Sequence, residues 1–263
     1  MSVRLIFLGS GDAFSAGGRF QACLHLTGGE APLLIDCGAT ALIALKRGGI
    51  DPASIGHVAL SHLHGDHFAG LPWLILDGQF AKRTRPLAIL GPRATRERFY
   101  QAFEALYPGA AEAERAFETR IEEFTERVAH DFGPARVTAY AVHHSPASMP
   151  HGLRIEYAGK VLAYSGDTEW TDTLPELARG ADLFVCECNF FDSKAPGHLD
   201  YETLIEHRAE LDCSRIVLTH MSEAMLARVT ELEFETAADG MSIDLLPATA
   251  RSPAPTARSP AGS

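Results

Sequence analysis

The chain has no C-x-x-C pair and an odd total of five cysteines, Cys23, Cys37, Cys186, Cys188 and Cys213, so neither a disulfide framework nor a zinc ribbon is expected. Set mostly in apolar, strand-like surroundings, these thiols should stay reduced in a cytosolic setting. Cys186-Glu187-Cys188 reads as core packing rather than as a soft-metal pair. No apolar run approaches the ~18 residues that would suggest a membrane span. The opening segment, residues 1–11, holds an apolar stretch too short for a signal h-region and lacks a small-residue cleavage site. It reads as a first strand, which sets the expectation of a cytoplasmic protein without a membrane partner. Positive charge is also scarce. Lys and Arg total 23 against 34 Asp and Glu, and the net charge of −11 repels polyanions in general. A nucleic-acid substrate would need a local basic surface; Lys82, Arg83, Arg85, Arg93, Arg96 and Arg98 are candidates, read first as a solvated face and helix start.

What is present is the composition of a soluble globular α/β chain. Its 263 residues are enough for one well-buried domain, placed at residues 1–246. Leu33-Leu34-Ile35-Asp36-Cys37-Gly38 reads as a buried strand ending in a turn, and residues 39–47 as a helix closed by Gly48-Gly49. Residues 93–106 put Phe99, Phe103 and Leu106 on one helical face, stopped by Pro108-Gly109. Residues 112–127 are charged and expected to be helical or loop-like. The tail, residues 247–263, is rich in Pro, Ala, Ser and Arg without apolar periodicity, and is expected to be disordered.

The most informative stretch is Ser61-His62-Leu63-His64-Gly65-Asp66-His67, in which four metal-competent side chains fall within a window of six residues that follows an apolar run, residues 57–60. A strand carried through Leu60 would project His62 and His64 to one side, and Gly65 would let the chain turn to return Asp66 and His67. Four further segments share one design, an apolar strand ending in a potential ligand. These are residues 137–142 before His143-His144, residues 161–164 before Ser165-Gly166-Asp167-Thr168, residues 183–185 before Glu187, and residues 216–218 before Thr219-His220. Ligand sites in α/β sheets collect outside strand termini, so these segments should meet the His62–His67 loop there. His25, His57, His130, His151 and His207 lie outside any ligand pattern and read as surface or satisfied core histidines. Asp12 and Asp36 read first as turn residues bonding backbone amides, with support of a metal ligand from behind as the lesser alternative. Phe68 and Trp73 read as helix packing, with a pocket wall as the alternative.

The ordered set resembles the metallo-β-lactamase superfamily of binuclear metallohydrolases over residues 1 to about 246. Within it, His62-Leu63-His64-Gly65-Asp66-His67-Phe68-Ala69-Gly70-Leu71-Pro72, Tyr164-Ser165-Gly166-Asp167-Thr168, Gly197-His198 and Thr219-His220-Met221-Ser222 look most like the ribonuclease Z branch. The resemblance implies an α/β fold, a four-layer αββα sandwich. It implies one metal held by His62, His64 and a third His, and a second held by Asp66, His67 and His220, with Asp167 bridging. His143 and His144 are both available as the third His; His144 is preferred because it precedes Ser145-Pro146, and His143 then packs or supports. His198 matches the family's mobile His near the scissile group and Glu187 an acidic residue that orients it, although Leu199-Asp200-Tyr201 departs from the usual Ser-Thr. Ribonuclease Z-like members commonly pair, so a homodimer is implied.

Neutral imidazoles and carboxylates are ligands that hold Zn²⁺ while leaving a position for water, so two divalent ions are expected, zinc first and manganese second. A bridging hydroxide would then be the nucleophile, with Asp66 orienting or deprotonating that water and His198 protonating the leaving oxygen. The leading expectation is a phosphodiesterase. Many members of the branch carry a long tRNA-holding arm between the third His and the bridging Asp, and here His144 and Asp167 are only 23 positions apart. A small or cyclic phosphodiester is therefore favoured over tRNA, with RNA retained as a substrate class. The alternative is hydrolysis of a lactone, thioester or carboxylic ester on the same site. A non-catalytic binding module would show missing ligands, and none is missing.

Overall fold

Side-chain alternation along the strands sorts the apolar residues of this computed structural model, which describes residues 2–245, into three cores. The tail expected to be disordered, residues 247–263, lies outside the described residues. The first sheet is made of β1 (Val3–Gly9), β2 (Cys23–Thr27), β3 (Leu33–Ile35), β4 (His57–Ala59), β5 (Leu87–Gly91) and β6 (Thr119–Glu123). The second holds β7 (Ala129–Phe132), β8 (Ala135–Ala141), β9 (His151–Tyr157), β10 (Lys160–Tyr164), β11 (Leu183–Glu187), β12 (Ile216–Thr219) and β13 (Glu235–Thr236). β14 (Ser242–Leu245) returns to the first sheet. The two seven-stranded orders are β14-β1-β2-β3-β4-β5-β6 and β13-β12-β11-β10-β9-β8-β7.

Leu5, Phe7, Leu24, Leu26 and Ile35 of the first sheet face Val137, Leu153, Ile155, Leu162 and Val185 of the second, forming the core between the sheets. The residues between them face outward. Leu34 and Val58 pack under the helices α1 (Ala41–Arg47), α3 (Leu71–Phe80) and α4 (Thr95–Leu106), while Ala163, Phe184 and Leu218 pack under α5 (Thr173–Ala178), α6 (Tyr201–Glu206) and α7 (Glu223–Leu226). Helices on both outer faces of two stacked sheets make the expected αββα sandwich. β11 pairs in parallel with β10 and β12 and is covered on both faces, which is why Leu-Phe-Val-Cys-Glu is buried throughout rather than alternating.

Several local expectations are revised. Residues 119–123 of the charged stretch form an edge strand, β6, in which Ile121 alone is buried, so its apolar signal is too thin to read. Leu106 is 44% exposed although Phe99 and Phe103 are buried, because α4 ends there and its last turn passes the edge of the core. Arg83 is not part of a solvated basic face. Its guanidinium is buried and donates to the carbonyls of Pro52, Ile55, Arg85 and Pro86, tying the loops before β4 and β5 together.

Candidate metal centre

The carboxyl ends of β3, β4, β8, β10, β11 and β12 open on one edge of the sandwich, and the expected site residues follow them there. β4 stops at Ala59, earlier than a continuous strand through Leu60 would. His64 remains extended, and Gly65 begins a single-turn helix, α2 (Gly65–Phe68), rather than a reversed turn. Asp66 and His67 therefore come back toward the cluster because the first turn of a helix carries them, not because glycine reverses the chain.

Two groups result. Ligand-type atoms of His62, His64, His144 and Asp167 lie within 4.8 Å of one another, as do those of Asp66, His67, Asp167 and His220. Asp167 belongs to both. Its Oδ1 lies 3.2 Å from His67 Nε2, and its Oδ2 lies 3.3 Å from His220 Nε2 and 3.8 Å from His62 Nε2. His144 Nε2 faces His64 Nδ1 at 3.0 Å. Adjacent residues on an extended segment point opposite ways, and His143 is accordingly turned out, its side chain 67% exposed.

The imidazoles are oriented from behind. Asp36 Oδ2 accepts from His67 Nδ1 at 2.7 Å and from Ser61 Oγ at 2.8 Å, and that hydroxyl in turn accepts from His62 Nδ1 at 3.0 Å. One carboxylate thus orients a histidine in each group through Nδ1 and turns both Nε2 atoms inward. Asp36 Oδ1 also accepts from Ser61 N, the amide-bonding role expected of it, so the residue does both jobs. His144 donates its Nδ1–H to the Gly197 carbonyl at 2.7 Å. Gly197 has φ +84°, and a Cβ there would meet His144 Nδ1 at 2.8 Å, so only glycine lets this loop approach. Asp36 and His220 are themselves left-handed, at φ +60° and +59°, and Asn189 Nδ2 donates to the His220 carbonyl at 2.8 Å, holding that turn.

A divalent cation fits what is present. His62 Nε2, His67 Nε2 and Asp167 Oδ1 are buried with no hydrogen-bond partner, although they crowd one another. Buried polar atoms left unpaired are costly, and a divalent cation would satisfy three that converge on one space. The charge states agree. Burial, reinforced by neighbouring histidines, pushes His62 down, and burial likewise lowers His64 and His144, so their lone pairs are available. Burial opposes ionisation of Asp66 and Asp167, but His67 and His220 outweigh it and hold both carboxyls well below the usual range. Burial likewise opposes charge on His220, yet Asp167 and Asp66 raise it to about 9, the negative surroundings in which a cation would also be held.

Beside the cluster, His198 Nδ1 donates to Glu187 Oε1 at 2.9 Å, and its ring stacks 5.5 Å from that of His220. Burial disfavours charge on His198, but Glu187 more than compensates and raises it. Glu187, buried at the end of β11, also accepts from Thr168 N at 2.6 Å and Leu199 N at 3.3 Å. Asp200, in the stretch after His198 that departs from the expected pattern, caps α6 by accepting from Thr203 N at 3.0 Å. Cys186 and Cys188 are buried with free thiols, as are Cys23 and Cys37, and Cys213 is partly buried and free. Sequence reasoning did not single out Asn189, and it underread Asp36. Neither stands in a ligand-like spacing, and only Asp36, in its strand-end turn, offered a signal.

A family model described as Anti-Pycsar protein Apyc1 matches residues 3–239. An uncharacterized protein of Mycobacterium tuberculosis (strain H37Rv), Rv1339, is 34% identical over 228 residues, covering 84% of this chain and 81% of that protein. Ribonuclease Z of Methanosarcina acetivorans is 28% identical, covering 84% of this chain and 88% of the enzyme. The crystal structure of the metallo-β-lactamase fold protein YhfI from Bacillus subtilis superposes with a TM-score of 0.74 at 23% identity, covering 93% of this chain and 100% of that one. Among the described residues, no helix is long and apolar enough to cross a membrane.

Proposed function

The chain belongs to the anti-Pycsar protein Apyc1 family within the metallo-β-lactamase fold, and on that premise we propose that it is a binuclear metal-dependent phosphodiesterase acting on a small or cyclic phosphodiester. The observation that carries this reading is the set of orphaned buried atoms, His62 Nε2, His67 Nε2 and Asp167 Oδ1, beside a partly exposed imidazole held by a carboxylate. His62, His64 and His144 would hold one ion and Asp66, His67 and His220 the other, with Asp167 between them. Zinc is the first choice and manganese the second. Bound there, two divalent ions would supply Lewis acidity, lowering the pKa of a water toward ~7 and offsetting charge on a phosphoryl group.

The chain's own residues do the rest. Asp66, whose Oδ2 lies 3.3 Å from His220 Nε2, would orient or deprotonate the attacking water. His198 holds a proton for the leaving oxygen, and Glu187 is the positioning residue that fixes its ring through Nδ1. Ribonuclease Z, a relative at 28% identity, acts by its name on RNA, whose linkages are phosphodiesters. A small substrate is favoured over a tRNA because the stretch from His144 to Asp167 is taken up by β9 and β10, with no residues left for an arm. RNA remains the larger member of the same class. Cytoplasmic residence and pairing into a homodimer belong to the same proposal.

The test is turnover of a chromogenic phosphodiester alongside a lactone and thioester panel, with protein reconstituted in Zn²⁺ or Mn²⁺ and His64→Ala as control. Metal-dependent diester cleavage that disappears in the control is expected. Acyl hydrolysis alone would replace the reading with an esterase on the same fold.

A further inference from the structure

The outer face of the first sheet carries a cavity of about 490 Å³ that none of the candidate metal ligands lines. Leu8 of β1 is its apolar floor, the end of α1 with Ala44, Arg47 and Gly48 makes one wall, and residues 17–20 and 238–240 close the others. Two guanidinium groups in this lining have donors to spare. Arg19 Nη1 donates to the Ala237 carbonyl at 2.7 Å and weakly to Ser10 Oγ at 3.5 Å, while its Nε and Nη2 bond nothing among the described residues. Burial lowers the Arg19 pKa, against the attraction of Asp239, so the charge is held where water solvates it poorly. Arg47, in the last turn of α1, makes no hydrogen bond or ion pair among the described residues, whereas its neighbour Lys46 is paired with Asp77. The Arg47 Cζ lies 5.6 Å from the centre of the Phe20 ring, which lines the same cavity.

Two carboxylates stand close by, and both are already engaged. Asp239 Oδ1 accepts from Ser10 N at 2.9 Å and from Ser10 Oγ at 2.8 Å, and its Oδ2 accepts from Phe20 N at 2.7 Å. Glu223 Oε1 accepts from Gly17 N at 2.7 Å. These bonds hold the loop of residues 17–20 in place and leave the cavity with an excess of donors. Gly18, at φ +71°, has no atom within 4 Å of where a Cβ would stand, so the loop leaves the mouth open on that side. Arginine presents paired N–H donors in a planar fork that matches the oxygens of an oxyanion. A carboxylate fills one fork, and a phosphate has oxygens enough for two. We propose that this cavity is a second binding site, separate from the metal cluster, for a phosphate group, with Arg19 as its inner clamp and Arg47 as its outer one. The same chemistry has two sources, free phosphate and a phosphate monoester, the latter being what the hydrolysis proposed above would release. The site rests on its own residues and stands whether or not that reaction does.

The experiment titrates inorganic phosphate and, separately, adenosine 5′-monophosphate into the zinc-loaded chain by calorimetry. It compares wild type, Asp167→Ala, which disables the metal cluster, and Arg19→Gln and Arg47→Gln, which disable the clamp, the latter two alone and combined with Asp167→Ala. A phosphate site that persists in Asp167→Ala is expected, and each arginine variant should weaken it at least about tenfold, the loss of one charge-assisted hydrogen bond. Where Asp167→Ala does not fold, the same effect is read in wild type as one phosphate equivalent removed by Arg47→Gln, a change at an exposed side chain. Tighter binding of the monoester than of phosphate assigns the hydrolysis product as the source, and equal binding assigns free phosphate. Loss of all phosphate binding in folded Asp167→Ala, or affinity left unchanged by Arg47→Gln, overturns the site and leaves the reading of the metal centre as it was.

Discussion

The two groups that share Asp167 are walled differently. In the group of Asp66, His67, Asp167 and His220 every residue is buried, whereas in the other His64 and His144 are only partly so. The inner group is shaped by the fold before any ligand arrives, through Asp36 behind His67, Asn189 on the turn of His220, and two left-handed residues held in place by their neighbours. The outer group is closed across the interface of the two sheets, His64 from one and His144 from the other, and it opens onto a cleft lined by Pro146, Met149 and Glu169. On the proposed reading, the more buried cradle would be the one that retains its ion and the more open one the one that exchanges with substrate and solvent, with Asp167 common to both.

Removing the shared residue should erase the distinction. Asp167→Ala is expected to abolish turnover and to bring bound metal below about one ion per chain by elemental analysis, because both cradles lose a carboxylate. Retention of the full metal content would show that Asp167 is not common to the two.

His198 lies outside both cradles yet touches each, against the rings of His144 and His220. His198→Ala should lower kcat by roughly 10²–10⁴-fold on diesters with poor leaving groups, with metal content unchanged. A loss of metal in this variant would move His198 from proton donor to ligand.

Asp36→Asn sharpens the comparison more gently. It keeps the volume but weakens acceptance from His67 and, through Ser61, from His62, so chelator competition should find metal affinity lower by about 10–100-fold. The inner ion, whose ligand Asp36 contacts directly, should be the one more affected.

The smallest effect at neutral pH is expected far from both cradles. His25 in β2 is buried with neither ring nitrogen bonded, and burial pushes its pKa down to about 4. A histidine depressed in the folded state is protonated first in the unfolded chain. Stability should therefore be intact above the unfolded pKa of about 6.5 and fall as pH drops toward 4, by at most about 3 kcal/mol. Urea unfolding of metal-free protein should show a shallower acid slope in His25→Leu than in wild type. Equal slopes would mean the ring finds a partner in solution.

How much of this was legible differs between the same two halves. His62, His64, Asp66 and His67 lie within one short stretch, so their chemistry can be read without knowing the fold. His144, Asp167 and His220 each stand alone at a strand end, and only the repeated strand-to-ligand design and the family resemblance draw them together. Asp36 looked like an ordinary turn residue, which locally it is. The strand β6 was hidden by its charges, the feature that protects a sheet edge.

The most direct test of the account is a metal titration of the intact chain followed by both calorimetry and phosphodiester turnover, comparing wild type with His64→Ala. The account predicts about two ions per chain in wild type, about one in the variant, and activity that rises only with the second ion. A single ion in wild type, or full turnover in the variant with one ion bound, would contradict it.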